Sequence, residues 1–285
     1  MQQAMKSLNY QGTVAFLRNN KLDTMKYSHA VDKEVEQEHL LSLNSPMREV
    51  LRHAGNVSCV FKDSKSVEIN HRPSGRSFIV DLPENFTEQA AVYDFEIAEQ
   101  QEVAMLPAQI INIKPKDDYR YARKIWIEQQ NFLPLKIEAY DITGAIIEQV
   151  MFTELSIEKK LPFAKVDIKS EDLKVKHIHQ SSLQAMEKAD FVLNNLPQGF
   201  KEVFFVEMTM HGSQQSVEHL LLSDGFSSVS IYQEARSEKN PKGIQSAGTV
   251  HSLVKIVGSF QFVLMGDVPV KTIQFISDGI KLKAQ

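Results

Sequence analysis

Strict alternation of apolar and polar positions appears early in the chain and persists. In "GTVAFLR" and "LDTMKYSHAV" the residues Leu22, Thr24, Lys26 and Ser28 alternate with Asp23, Met25, Tyr27 and His29. Period-2 alternation puts successive side chains on opposite faces of a half-buried strand. Asn19-Asn20 stands between the two runs and tolerates left-handed backbone, which predicts a hairpin. "EHLLSL", "REVLRH", "VSCVF" and "SVEI" follow, with turns expected at Ala54-Gly55-Asn56 and at "KDSK". The first third therefore reads as an antiparallel meander with short loops.

The pattern then changes. Phe86, Ala90, Tyr93 and Ile97 recur at helical spacing, with Thr87 as a candidate cap, so a helix over one sheet face is expected there. A shorter helix is expected over Gln2 to Leu8, with Met1, Met5 and Leu8 on one side. Four strands come next, in "AQIINIKP", "YRYARKIWIE", "PLKIEAY" and "AIIEQVMFTEL", with a turn over Asp141 to Gly144. Short connections predict that they pair as neighbours. From Lys159 to about Asp190 charges of both signs dominate and alternation fades, the texture of an inter-domain connection.

A second β unit starts after Phe191. It contains "LLSDGFSSVSIY", which predicts a hairpin turning at Asp224-Gly225, with Val229 and Ile231 on one side and Ser228 and Ser230 on the other. Ile273, Ile276 and Ile280, with Pro269 at the first turn, predict a closing helix. The expected fold is mainly β (α+β). A large antiparallel half-barrel closed by helices is followed by a smaller C-terminal antiparallel β domain with a helix. The expected boundaries are 1–162, a linker over 163–190, and 191–285.

Bulk composition narrows the function classes. The chain has 285 residues, 42% hydrophobic and 24% charged, with a formal net charge of −4. That supports real cores and shows none of the basic excess of a nucleic-acid binder. No apolar run approaches the length of a membrane-spanning helix. A lone cysteine, Cys59, forms no internal disulfide and in its strand setting is expected to be buried and inert. The first residues show no charged segment followed by an apolar one, so no signal peptide is read. A cytoplasmic protein and a mature secreted chain both fit.

Candidate chemistry is sparse. His177 and His179 would share a strand face, but two ligands are too few for a metal site, and no metal or cofactor is expected. Ser223, with His219 and His211 nearby, lacks a nucleophile elbow and reads as a turn residue. Phosphate-binding glycine loops are absent. Asp117-Asp118 and Glu171-Asp172 sit beside turn or linker signals and read as solvated. Arg48 and Arg52 flank Glu49: either charges that protect an edge strand, or a cationic grip on an anionic group. Most aromatics should be core, yet a curved sheet under a helix could leave some lining a cavity suited to acyl chains. At roughly 0.8 kcal/mol per methylene, about 12 buried methylenes gain on the order of 10 kcal/mol before ordering costs.

Several stretches in order, "SLNYQGTVAFLR", "LLSLNSPMREVLRHAGNVSCVFKDSKSV", "WIEQQNFLPLKIEAYDITGAIIEQVMFTEL", "LPQGFKEV", "LLSDGFSSVSIY" and "MGDVPVKTI", resemble the RseB/MucB family of sigma-E regulatory proteins. The segment from Phe163 to Asp190 carries none of the likeness, and Phe191 and Met265-Gly266-Asp267 depart modestly from it. The resemblance implies a periplasmic protein whose N-terminal domain is similar to the lipoprotein carriers LolA and LolB. It implies a negative regulator of envelope stress. Such a protein binds the periplasmic part of a membrane anti-sigma factor of RseA or MucA type and shields it from proteolysis. Mislocalised lipopolysaccharide or a similar lipid releases it. The alternative is a lipid or lipoprotein carrier, which would need no large second domain; an enzyme is not expected. Arg48 and Arg52 match the family's "PxREVxR" run and are the polar candidates for an anionic ligand or partner. Val14, Phe16, Met25 and Trp126 are candidates for the sheet's inner face. Lys201, Glu202 and Tyr232 are candidate contacts in the C-terminal domain. A homo-oligomer is left open.

Overall fold

The computed structural model describes residues 1–44, 48–53, 56–61, 66–71, 82–83, 86–165, 174–178, 183–184, 189–209, 216–236 and 243–283. The expected turn at Ala54-Gly55, the "KDSK" turn, Glu171-Asp172, His179 and His211 lie outside these residues. A short helix α1 (Gln2–Ser7) leads into six strands: β1 (Asn9–Arg18), β2 (Lys21–Asp32), β3 (Val35–Ser42), β4 (Arg48–His53), β5 (Asn56–Phe61) and β6 (Ser66–His71). One helical turn, α2 (Phe86–Gln89), precedes β7 (Tyr93–Val103), β8 (Leu106–Pro115), β9 (Ala122–Glu128), β10 (Pro134–Tyr140) and β11 (Ile146–Glu158). β12 (Lys174–Ile178) completes a sheet ordered β12-β6-β5-β4-β3-β2-β1-β11-β10-β9-β8-β7. Each meander runs outward from the central β1·β11 pair. All pairs are antiparallel except β12 with β6.

The expected helix over Phe86 to Ile97 is corrected to the single turn α2 and the first half of β7. The reason is a hairpin the sequence does not advertise. Ala104 and Met105 take φ of 52° and 61° between Val103 and Leu106, the two positive-φ positions that a twist-matched two-residue turn requires. Neither residue favours left-handed backbone. Lys33-Glu34 makes the same kind of turn between β2 and β3, and Asn19-Asn20 makes the expected one.

Cross-strand register defines the two faces of this half-barrel. Ile125 pairs with Ile137, Ile137 with Val150, Val150 with Phe16, and Val14 with Met25, so these residues share a face. Helix α1 lies on it: Met5 and Leu8 pack on the cluster of Tyr10, Val14, Tyr27, Leu133, Val150 and Phe152. Met1 and Met5 also reach the neighbouring cluster of Leu82, Val92, Tyr93, Ile113 and Ile125. Trp126 is a correction to the inner-face group. It pairs with Lys136, Lys136 with Met151, and Met151 with Ala15, which puts it opposite Val14, Phe16 and Met25.

The smaller sheet is ordered β13-β15-β16-β17-β20-β19-β18. Its strands are β13 (Leu183–Gln184), β15 (Lys201–Thr209), β16 (Ser216–Ser223), β17 (Ser228–Ala235), β18 (Ile244–Ala247), β19 (Val250–Val257) and β20 (Phe260–Gly266). Helix α3 (Val270–Asp278) begins after Pro269 as expected and buries Ile273 and Ile276 in the second core, among Phe191, Phe205, Leu220, Ile231, Phe262 and Leu264. Ile280, expected in this helix, instead enters β21 (Ile280–Leu282), which pairs with β14 (Phe191–Leu193). Val229 and Ile231 are buried and share the face foretold by their alternation.

The segment 163–190 is tied to both sheets. Gln37 clamps the backbone of Ala164, donating from Nε2 to its carbonyl at 3.2 Å and accepting its N–H at 2.6 Å. Phe163 sets its ring edge-on to His53. β12 extends the larger sheet, and β13 pairs with β15 of the smaller one.

Candidate functional site at the domain interface

The two sheets meet chiefly where β7, β8 and β9 present one set of strand ends, and again beside β1 and β11, where Thr249 Oγ1 donates to Glu148 at 2.7 Å. The centre of the contact is Arg120, in the β8–β9 connection, with its side chain fully buried. Its Nε donates to Asp117 Oδ1 at 3.0 Å, its Nη2 to the Gln198 carbonyl at 2.7 Å and its Nη1 to Asp224 Oδ2 at 3.1 Å. The rings of Tyr93 and Phe200 flank the guanidinium at 5.3 and 5.4 Å. Desolvating a guanidinium is costly unless its donors are matched, and here the planar fork is matched on three sides.

Asp224 is the counterpart from the second domain. Its Oδ1 accepts the N–H groups of Phe226 and Ser227 at 3.0 and 2.8 Å, an Asx-type turn closed by its own side chain. Its Oδ2 accepts the Tyr93 hydroxyl at 2.8 Å as well as Arg120. Its carbonyl accepts Gln89 Nε2 at 3.1 Å. The Asp224-Gly225 turn is therefore a four-residue loop. Only Gly225 has positive φ, and Asp224 N donates to Ser227 O. Burial holds the Tyr93 hydroxyl far above its ordinary pKa, so it stays a donor. Ser223 Oγ donates to the Ser227 carbonyl and accepts Gly225 N–H, a turn role as expected.

Phe226 follows Asp224 into the first domain. It joins the cluster of Leu82, Val92, Tyr93, Ile113 and Ile125 and is 6% exposed. Its ring lies edge-on to Tyr93 at 5.1 Å and to Phe86 at 5.8 Å, and 6.3 Å from Phe95. Among the described residues, it is the second-domain side chain that enters a first-domain core.

Weaker contacts ring this centre. Arg123 Nη2 donates to Ser227 Oγ at 3.1 Å and Asp267 Oδ2 at 3.3 Å, and Thr272 Oγ1 donates to Tyr119 O at 2.6 Å. Burial pushes the Asp267 carboxyl up against the opposing pull of Arg123. Tyr121 OH meets His251 Nε2 at 2.8 Å; burial raises that hydroxyl to about 12 and lowers the imidazole. Asp118 is exposed, as expected, and pairs with Lys271 at 2.9 Å, whereas Asp117 is half-buried against Arg120.

The residues singled out from sequence fall in several places. Lys201 is at the interface rim, where its Nζ donates to Glu88 at 2.7 Å. Glu202 is exposed beside it at a bulge in β15, and Tyr232 stacks on His219 at 4.2 Å. Arg48 is exposed at the start of β4. Arg52 is not a free cation: its Nη2 lies 3.1 Å from Glu38 and 3.8 Å from Glu36. Glu38 Oε1 in turn accepts the Tyr27 hydroxyl at 2.7 Å, and the register row runs Tyr10–His29–Glu38–Arg52 across four strands. Val14 is buried in the core, while Phe16 and Met25 are half-buried on the same face. Trp126 is buried on the other face, donating from Nε1 to Gln101 Oε1 at 3.0 Å under the Lys136 ammonium. Cys59 is half-buried. Among the described residues, the inner face carries the buried clusters around Val14, Phe152, Tyr93 and Ile125. The described pockets, of about 310 and 230 Å³, are grooves beside residues 159–163 and beside α1 and Phe132, at the end of the sheet away from the second domain.

A two-domain, mostly β protein joined through a buried polar lock is the class these features define. The MucB/RseB N-terminal domain model matches residues 1–176 and the MucB/RseB C-terminal domain model matches residues 185–281. The chain belongs to the MucB/RseB family. It is 22% identical to the sigma-E factor regulatory protein RseB of Haemophilus influenzae, over 99% of this chain and 89% of that protein. The RseB of Escherichia coli K12 is 23% identical over 100% of this chain and 89% of its own length. Among solved structures, MucB in complex with MucA(peri) superposes with a TM-score of 0.75 at 20% identity, covering 99% of this chain and 96% of that one. The Pseudomonas aeruginosa MucA/MucB complex gives 0.77, with 100% and 96% coverage. "LPQGFKEV" and "LLSDGFSSVSIY", two of the stretches that carry the family resemblance, converge on Arg120 through Gln198 and Asp224.

Proposed function

We propose that this chain is a periplasmic negative regulator of the envelope-stress response. It holds the periplasmic segment of a membrane anti-sigma factor, shields that segment from regulated proteolysis, and lets go when mislocalised lipopolysaccharide or a similar lipid binds. The observation that carries the reading is the family match through both domains, together with the fold shared with MucB bound to MucA(peri). Residues 1–162 serve as the lipid-sensing domain, 163–190 as the connection and 191–285 as the anti-sigma-binding domain.

Release needs a lipid that favours the peptide-incompetent arrangement. Moving a population from 1:99 to 99:1 takes about 5.5 kcal/mol of differential affinity, which acyl-chain burial can supply. The test is a pull-down of the purified chain with an anti-sigma periplasmic segment, with and without lipopolysaccharide. The expected result is capture that lipopolysaccharide reverses. No capture in either condition overturns the regulator reading; capture indifferent to lipopolysaccharide overturns the release step alone.

A further inference from the structure

We infer that Phe226 is an internal plug occupying an acyl-chain site in the half-barrel, and that a chain enters by expelling the 224–227 loop. The inference rests on the lipid-release reading above and deepens it.

Among the described residues, the apolar face around Phe226 is packed into one buried cluster, so a ligand entering that cluster displaces something. Most of the first-domain side chains around it stand on β7, β8, β9 and β10 or on the two short helices of the same domain. Phe226 is different. It arrives from the second domain on a four-residue loop and takes its place among Tyr93, Phe86 and Phe95. Behind it lie Ile113 and Ile125, then Ile111, Ile127 and Ile137 on the same face, with Met1 and Met5 above. That row is aliphatic and runs along the sheet. Methionines are unbranched and adapt their shape, so α1 can yield to a chain that passes under it. A straight alkyl chain matches this lining; a rigid polar ligand does not.

The loop cannot leave alone. Its backbone is clamped by the Asp224 carboxylate, which also holds Arg120 and Tyr93. Space around Gly225 is tight: a Cβ there would lie 2.8 Å from Pro83 Cβ and Gln89 Nε2. Expelling Phe226 therefore pulls Asp224 off Arg120 and breaks the centre of the domain interface. Binding of a chain and separation of the domains become one event, and the coupling is reciprocal.

The experiment uses the full chain and no partner protein, so its failure leaves anti-sigma capture standing. Myristate and myristoyl-lysophosphatidylcholine, both below micelle formation, are titrated into wild type and Phe226→Ala, and amide exchange over 223–228 is followed. The expected result is binding that is at least about tenfold tighter in Phe226→Ala, because the site loses its internal competitor. In wild type, the bound chain should speed exchange at Phe226 and Ser227. Tightening with both probes assigns recognition to the chain; tightening with one assigns the headgroup source as well. The plug is overturned if neither probe binds, if Phe226→Ala does not tighten binding, or if bound probe leaves the loop amides protected. Should Phe226→Ala fail to fold, the exchange measurement on wild type decides alone.

Discussion

Asp224 and Arg120 meet at 3.1 Å with both side chains withdrawn from water, 104 residues apart in sequence and in different domains. All that the Asp224 carboxylate accepts comes from groups that are themselves fixed: two loop amides, one tyrosine hydroxyl and one guanidinium. A buried pair of this kind adds little net stability over a well-packed apolar contact. Its loss on one side is expensive, because the other charge is stranded. That asymmetry makes it suitable for fixing a single arrangement of two domains.

Asp224→Ala should therefore destabilise the protein by about 3–5 kcal/mol and separate the unfolding of the two domains. Ser223→Ala, one residue away, removes two turn hydrogen bonds between neutral groups and should cost about 1–3 kcal/mol, less than Asp224→Ala. Denaturant titrations followed by probes in each domain measure both. A single coincident transition for Asp224→Ala with less than about 1 kcal/mol lost would mean that the pair does not hold the interface.

Arg48 and Arg52 separate cleanly. Arg52 lies beside Glu38, which is 1% exposed, so Arg52→Ala leaves a buried carboxylate short of its cation and should cost about 3–5 kcal/mol. Arg48 is exposed, and Arg48→Ala should stay within about 0.5 kcal/mol of wild type. Any loss of partner binding in Arg48→Ala would then report contact rather than unfolding. A stable Arg52→Ala protein would remove Arg52 from the internal network.

The strands and the second domain were legible because alternation is a local signal. Where the outcome depended on distant residues, the sequence was silent. Phe86 to Ile97 carried helical spacing, yet Tyr93 to Ile97 pair with β8 because Ala104-Met105 accept left-handed backbone to close the hairpin. Trp126 alternates correctly with Ile125, but which parity faces α1 is set by register with β10, not by β9 itself. Asp224 was visible as a turn residue through its short-range bonds, whereas its other oxygen goes to Arg120 and Tyr93. Arg120 itself, in "DDYRYARK", carried no periodic or motif signal.

Gly12 tests the packing of the central strand pair. A Cβ at this position would sit 2.0 Å from the Glu154 carbonyl oxygen, beside the bulge where β1 and β11 shift register. Backbone cannot swing away as a side chain does, so Gly12→Ala should cost at least about 2 kcal/mol. Gly144 has φ of +83° with nothing within 4 Å, so Gly144→Ala should cost only the left-handed strain, about 1 kcal/mol. Thermal melts of the two variants rank them; equal losses would show that the β1·β11 pair can spread to admit a methyl group.

Acidification should loosen the interface through His251. Burial lowers its pKa below the ordinary 6.5, and its ring nitrogens are engaged by Tyr121 OH at 2.8 Å and Ser246 Oγ at 2.7 Å. Between the folded and unfolded values the unfolded chain binds more protons, so stability rises with pH across that window and falls as pH drops below about 6.5. Asp267, Asp141 and Arg123 act electrostatically on the Tyr121 side of this contact. Asp267, raised by burial, contributes with the opposite sign from its ordinary 3.8 upward, since there the folded chain holds the extra proton. His251→Gln keeps an amide against Tyr121 and cannot titrate. Denaturation midpoints at pH 7.5 and 5.5 should differ less in this variant than in wild type. An unchanged difference would place the pH response elsewhere than at His251.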